Sequence, residues 1–256
     1  MIDKDFLIEL RRNAYVECTE NYLSSNTVVG IFGDSLPEEL FYACGLVPIP
    51  IEGVDSHIFK FGKENESSCF CDVIKSTLIY LTTEKCPILY SCKMYVLENI
   101  CANFTNTLKA NTEKPVIIYD GKDNLIQSLC KIYETNYNEA LRQSAKNDLI
   151  YIKSVLEKLA YYSSISTEEL FLLEFYSKYM TNLSDRRKYF ETLEKTVSFF
   201  EEKKDRKEIF CICPRGNYKY ICEDEKLKNA KIIRVFDNAS YGYANCIFKC
   251  KKEKNY

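Results

Sequence analysis

Thirteen cysteines in 256 residues are the groups in this chain best suited to do chemistry. A thiolate is a soft ligand that selects iron–sulfur clusters or zinc, and a cysteine at a helix start gains thiolate character from the macrodipole and free N–H groups. In open α/β sheets, ligands gather outside the carboxyl ends of strands, so residues just after strands deserve inspection. Four stretches qualify: Gly33 to Pro37, Ser67 to Asp72, Ser91 to Lys93 and Cys213 to Gly216. Three of them carry cysteine. Ser68-Cys69-Phe70-Cys71-Asp72 opens a helical pattern, and Cys92 follows the apolar run Pro87-Ile88-Leu89-Tyr90. Cys71 and Cys92 are therefore expected to face one another across adjacent helix starts. Cys69 and Cys71 would point opposite ways if extended, so one of the two serves a given centre.

Other chemistries are excluded by what is missing. There is no CxxC or four-cysteine ferredoxin run, no GxxxxGK[ST] and no GxGxxG, and His57 is the only histidine. His57 lies between polar residues and reads as a surface group. A net charge of −2 gives no field that would draw the chain to nucleic acid. No apolar run is long enough for a signal peptide or a membrane span, so a soluble, cytoplasmic protein is expected, with its thiols reduced. Cys18, Cys44, Cys86, Cys101, Cys130, Cys211 and Cys222 read as small buried hydrophobes, and Cys246 and Cys250 as part of a solvated Lys-rich end.

The positioning elements follow from periodicity. Thr27-Val28-Val29-Gly30-Ile31-Phe32 is a buried strand ended by Gly33-Asp34-Ser35. Ser35 with Glu38 forms a capping-box pattern with Pro37 in the first turn, Gly45 stops the helix, and Leu46 to Ile51 is an extended segment whose prolines predict a sheet edge. Pro87 to Tyr90 and Pro115 to Tyr119 read as further strands, with helical patterns at 72–83 and 93–108. Alternating strand and helix predict an α/β fold with a Rossmann-like parallel sheet over 1–135. From 136 to 204 the chain is nearly free of Gly and Pro and reads as a helical connecting region, with a capping box at Ser166-Thr167-Glu168-Glu169. Over 205–256, Ile209 to Cys213 and Lys231 to Phe236 predict two strands of a truncated second α/β unit, with a helix at 217–227 between them.

The stretch Val28 to Pro48, with Pro37-Glu38-Glu39-Leu40 and Ala43-Cys44-Gly45-Leu46-Val47-Pro48, resembles the N-terminal signature of the 2-hydroxyacyl-CoA dehydratase family: a strand, P-E-E-L/I, then A-x-G-x-x-P. That family includes 2-hydroxyglutaryl-CoA dehydratase components, benzoyl-CoA reductase subunits and double-cubane cluster proteins. Cys71-Asp72-Val73-Ile74-Lys75-Ser76 resembles its C-x-x-x-R-S segment with Lys for Arg, and Cys92-Lys93 its Cys-Asp with the Asp lost. Ile165 to Leu170 is similar to its inter-domain helices, and Phe236 to Gly242 to the start of its second domain.

The resemblance implies two Rossmann-like domains holding a 4Fe-4S cluster on three cysteines, with one iron open to substrate. It also implies an ATP-hydrolysing activator that donates one electron, a homologous subunit or homodimer as partner, and an acyl-CoA thioester as substrate. In that family the electron reaches the thioester carbonyl and the hydroxyl group is expelled. Family members run well over a hundred residues further, and their third ligand lies there; Cys213, at the end of a strand of the second unit, is the replacement expected here. The alternative is a non-catalytic remnant serving as scaffold, cluster carrier or regulatory partner, and a further one is zinc on the same thiolates.

Overall fold

Four short apolar runs pair in parallel at the centre of the protein, and helices cover both faces. The computed structural model describes residues 2–33, 36–53, 56–62, 72–99, 102–162, 165–197, 208–211 and 231–234. Strands β1 (Val28–Phe32), β2 (Val47–Pro50), β3 (Tyr95–Leu97) and β4 (Val116–Ile118) form one sheet in the order β2-β1-β3-β4. Gly30 pairs with Ile49 on one side and Tyr95 on the other, and Val96 pairs with Ile117. β1 is thus central and buried throughout. The prolines of β2 sit on an edge strand, where a missing N–H costs no ladder bond.

Side chains alternate across the sheet and define two core layers. Val28 and Phe32 join Ile49, Leu97 and Phe104 on one face; Val29 and Ile31 join Leu40, Phe41, Val96, Leu125 and Leu129 on the other. On the first face, the Phe32 and Phe104 rings pack with centroids 4.4 Å apart. The covering helices are α1 (Lys4–Ser24), α2 (Glu38–Ala43), α3 (Asp72–Thr82), α4 (Pro87–Ser91), α5 (Ala102–Ala110) and α6 (Lys122–Tyr133). Helices α7 (Glu139–Leu159), α8 (Thr167–Tyr176) and α9 (Leu183–Val197) follow; α7 lies along α2 and packs on α9, while α8 packs on α1. Among the described residues, no helix is long and apolar enough to cross a membrane.

The expected α/β class and parallel sheet are present, and the helical pattern after Asn138 is realised in α7 to α9. The capping box at Ser166 forms as read, its hydroxyl accepting from the Glu169 N–H and the Glu169 carboxylate accepting from the Ser166 N–H. Several elements differ from the sequence reading, among them the strand Tyr95–Leu97, which lies inside the helix expected at 93–108. Helix α2 starts at Glu38 with Pro37, which has no side-chain acceptor, at its cap, and the expected capping residue Ser35 lies outside the described residues. Pro87 to Ser91 is a helix and not a strand: Pro87 occupies its first turn, where a preset φ and a missing N–H are favourable. Beyond the first sheet, β5 (Glu208–Cys211) and β6 (Lys231–Arg234) pair in parallel, with Ile209 opposite Ile232. The helix expected at 217–227 lies outside the described residues.

Candidate functional site

Strand order β2-β1-β3 places the switch point of the sheet at the carboxyl ends of β1 and β3, where chains diverge and leave a crevice. β1 is followed directly by Gly33, whose φ of +124° is a conformation that side chains rarely adopt. A Cβ on Gly33 would stand 2.4 Å from both Cβ and Oε2 of Glu98, so only glycine lets the Glu98 side chain cross the end of β1. The Glu98 N–H donates to the Phe32 carbonyl at 2.8 Å, fixing the chain that carries this carboxylate. From the β2 side, Glu52 Oε1 accepts from the Gly33 N–H at 3.4 Å. Both carboxylates are buried. Just past Glu52, Gly53 is clasped to α3: its N–H donates to Thr77 Oγ1 and its carbonyl accepts from Ser76 Oγ, both at 2.7 Å.

More charge is gathered around this edge. Glu38, at the start of α2, takes Lys178 Nζ at 2.7 Å on one oxygen and Arg186 Nη1 at 2.8 Å on the other. Burial pushes the Glu38 carboxyl up, but the two cations and their hydrogen bonds outweigh it and hold the group well below the usual carboxylate range. Arg11 of α1 is buried, with its guanidinium carbon 5.7 Å from the Tyr15 and Tyr80 ring centroids and 5.8 Å from that of Tyr179. Burial pushes the Tyr179 hydroxyl well above the ordinary tyrosine range, with Arg11 opposing and Glu52 adding to the shift. The carboxyl edge is therefore a low-dielectric region with three buried carboxylates, able to orient a polar ligand.

The amino edge carries the thiols. Cys92 stands between α4 and β3, so it precedes a strand at the opposite end of the sheet from Gly33. This corrects the expectation that Cys92 follows a strand beside a helix start. Its Sγ donates to the Ile88 carbonyl at 3.0 Å and lies 3.2 Å from where a Cβ on Gly30 would be, inside the core layer under α1 and α4. Burial pushes the Cys92 thiol up, Cys18 and Cys86 reinforce the shift and Lys114 opposes it. A cleft of about 560 Å³ opens at this edge, lined among others by Tyr22, Tyr80, Cys86, Cys92, Tyr95 and Lys114. Lys114 is already used there: its ammonium donates to the Leu89 and Tyr90 carbonyls at 2.8 and 2.7 Å, closing the end of α4.

Cys71 and Cys213 lie outside the described residues, as do Cys69 and the side chain of His57. Among the described residues, no group of three or more His, Cys, Asp or Glu could hold a metal ion. Since β3 is Tyr95–Leu97 and α5 begins at Ala102, the cysteine directly before the helix is Cys101, just as Cys71 directly precedes α3. Cys101, itself outside the described residues, was read from sequence as packing. The signal that picks it out is the run Met94-Tyr95-Val96-Leu97 followed by polar Glu98 and Asn99. The same run marks Glu98, whereas Glu52, two residues beyond a proline-rich edge strand, has no comparable signature. The chain matches no protein-family model and no curated protein.

Proposed function

We propose that this chain is an iron–sulfur protein of the kind its N-terminal motif resembles, acting in electron-driven dehydration or reduction of an acyl-CoA thioester. Cys71 and Cys101 would supply two thiolates and Cys213 a third. The observation that carries the reading is the placement of two helix starts. α5 comes after β3 and α3 after β2, the two strands flanking β1, with a 3-10 helix at Ser56–Phe61 between β2 and α3, and each helix is immediately preceded in sequence by a cysteine. Helix N-termini favour thiolate over thiol, in contrast to the buried Cys92.

When bound, such a cluster supplies one-electron transfer at a potential set by burial and hydrogen bonding. The chain's own residues would shape the adjoining edge. Gly33 leaves room for the Glu98 side chain across the end of β1, and Glu98 and Glu52 close the floor as the groups placed to exchange a proton with a bound substrate. An ATP-hydrolysing activator, and a homologous subunit or second copy, are the partners this role requires. In the resemblance, Lys93 stands where the family's Asp follows its cysteine, which favours as second reading a cluster carrier without dehydration chemistry.

Iron and acid-labile sulfide analysis of protein prepared anaerobically with ample iron tests the proposal. The expected result is a brown protein with about four irons per chain. Addition of a 2-hydroxyacyl-CoA to the reduced protein should then change its electron paramagnetic resonance spectrum; an unchanged spectrum with a full cluster assigns the carrier role. Colourless, iron-free protein from such a preparation would end both readings, and zinc in its place would assign the thiolates to zinc.

A further inference from the structure

Away from the proposed centre, two thiols stand in contact: Cys44 Sγ and Cys130 Sγ are 3.9 Å apart. Cys44 ends α2 and Cys130 lies in the last turn of α6, so the contact joins elements 86 positions apart in sequence. The backbone around them is pinned. The Thr135 hydroxyl donates to the Cys44 carbonyl at 2.8 Å, the Thr135 N–H to the Cys130 carbonyl at 3.2 Å, and the Asn138 N–H to the Ala43 carbonyl at 2.8 Å. Residues 135–138 thus wrap the end of α2 and hold both cysteines in register. Cys44 is buried, whereas Cys130 is partly exposed. That asymmetry suits an attacking and a resolving thiol.

We propose that Cys44 and Cys130 form a reversible dithiol–disulfide site that exchanges with a low-molecular-weight disulfide of the glutathione type. The partly exposed Cys130, as thiolate, attacks one sulfur of the small disulfide, forming a mixed disulfide and releasing the first small thiol. Cys44 loses its proton and attacks the Cys130 sulfur, forming the intramolecular bond and releasing the second thiol. The two cysteines lose two electrons and two protons together, and the small disulfide is reduced to two thiols. Closing the bond brings the sulfurs from contact distance to about 2.05 Å, a movement of under ~2 Å that side-chain rotation and a slight helix shift can supply. Burial pushes the Cys44 thiol up to about 12, with Cys130 adding to the shift, which keeps Cys44 inert until the mixed disulfide forms beside it.

The test is equilibration of the full chain in anaerobic buffers of graded reduced-to-oxidised glutathione ratio, acid quenching, alkylation and peptide mass mapping without reduction. One linked peptide pair, Cys44 with Cys130, should appear in a single two-electron transition and revert in dithiothreitol, with the melting temperature higher by about 5 °C or more in the oxidised form. In Cys44→Ala, Cys130 should stop at the glutathione adduct; in Cys130→Ala, Cys44 should remain unmodified. The wild-type map alone decides the matter should either variant fold poorly. Free Cys44 and Cys130 across the whole range, or a glutathione adduct on Cys130 that Cys44 never resolves, would overturn the proposal, as would Cys130 paired with another cysteine.

Discussion

The two ends of the sheet divide the chemistry between them. At the carboxyl edge, Gly33, Glu52, Glu98 and the ion-paired Glu38 gather charge beside the starts of α3 and α5. At the amino edge, Cys86, Cys92 and Cys44 cap or end helices as buried thiols, with Cys18 beside Cys92 and Cys130 against Cys44. The five described cysteines therefore stand away from the carboxyl ends of the strands. Cysteine count is a poor guide to ligation until the strands tell which cysteines follow a carboxyl end and which precede an amino end.

Breaking the carboxyl edge should cost most. Glu38→Ala leaves Lys178 and Arg186 as buried, uncompensated cations and should lower stability by about 4 kcal/mol in urea unfolding. The pH dependence has a definite sign. Because the folded carboxyl is held below its unfolded value, Glu38 stabilises fully above the unfolded value of about 4.3 and loses that contribution as pH falls toward the folded one. Glu38→Gln should remove this part of the acid sensitivity. Next in size, Gly33→Ala forces a Cβ onto Glu98 at an unfavourable φ and should cost about 3 kcal/mol, read as a shift of the urea midpoint.

The amino edge should respond more mildly. Cys92→Ser places a hydroxyl in an apolar layer but keeps a hydrogen bond to the Ile88 carbonyl within reach, so a loss of about 1–2 kcal/mol is expected. Native Cys92 should also resist alkylation at pH 8 on the timescale at which exposed thiols react fully. The smallest effect belongs to neither edge. Lys158→Ala removes an exposed pair with Glu194 and should change stability by about 0.5 kcal/mol or less in thermal melts.

Local signals in the sequence carried β1, α2, β2, β4 and the Ser166 capping box, because each has a turn residue, a cap or an uninterrupted apolar run of sufficient length. They failed at Pro87 to Tyr90. Four apolar residues satisfy both periods, and only the tertiary position of Pro87 at a helix start separates the two. That error put Cys92 after a strand that it in fact precedes, while the three-residue β3 went unread inside an expected helix. The Glu38 ion pairs were beyond reach for a different reason: 148 positions separate Glu38 from Arg186, and nothing near Glu38 announces a distant cation. The Gly33–Glu98 contact is likewise non-local, set by strand register rather than by neighbours in the chain.

The division between the two edges is tested most directly by iron content in single cysteine variants prepared anaerobically under identical conditions. Cys71→Ser and Cys101→Ser should each lose most of the iron and sulfide, while Cys92→Ser should keep wild-type content despite its lower stability. Full iron in Cys101→Ser together with loss in Cys92→Ser would contradict the account, placing the inorganic centre at the amino edge among the thiols assigned here to packing.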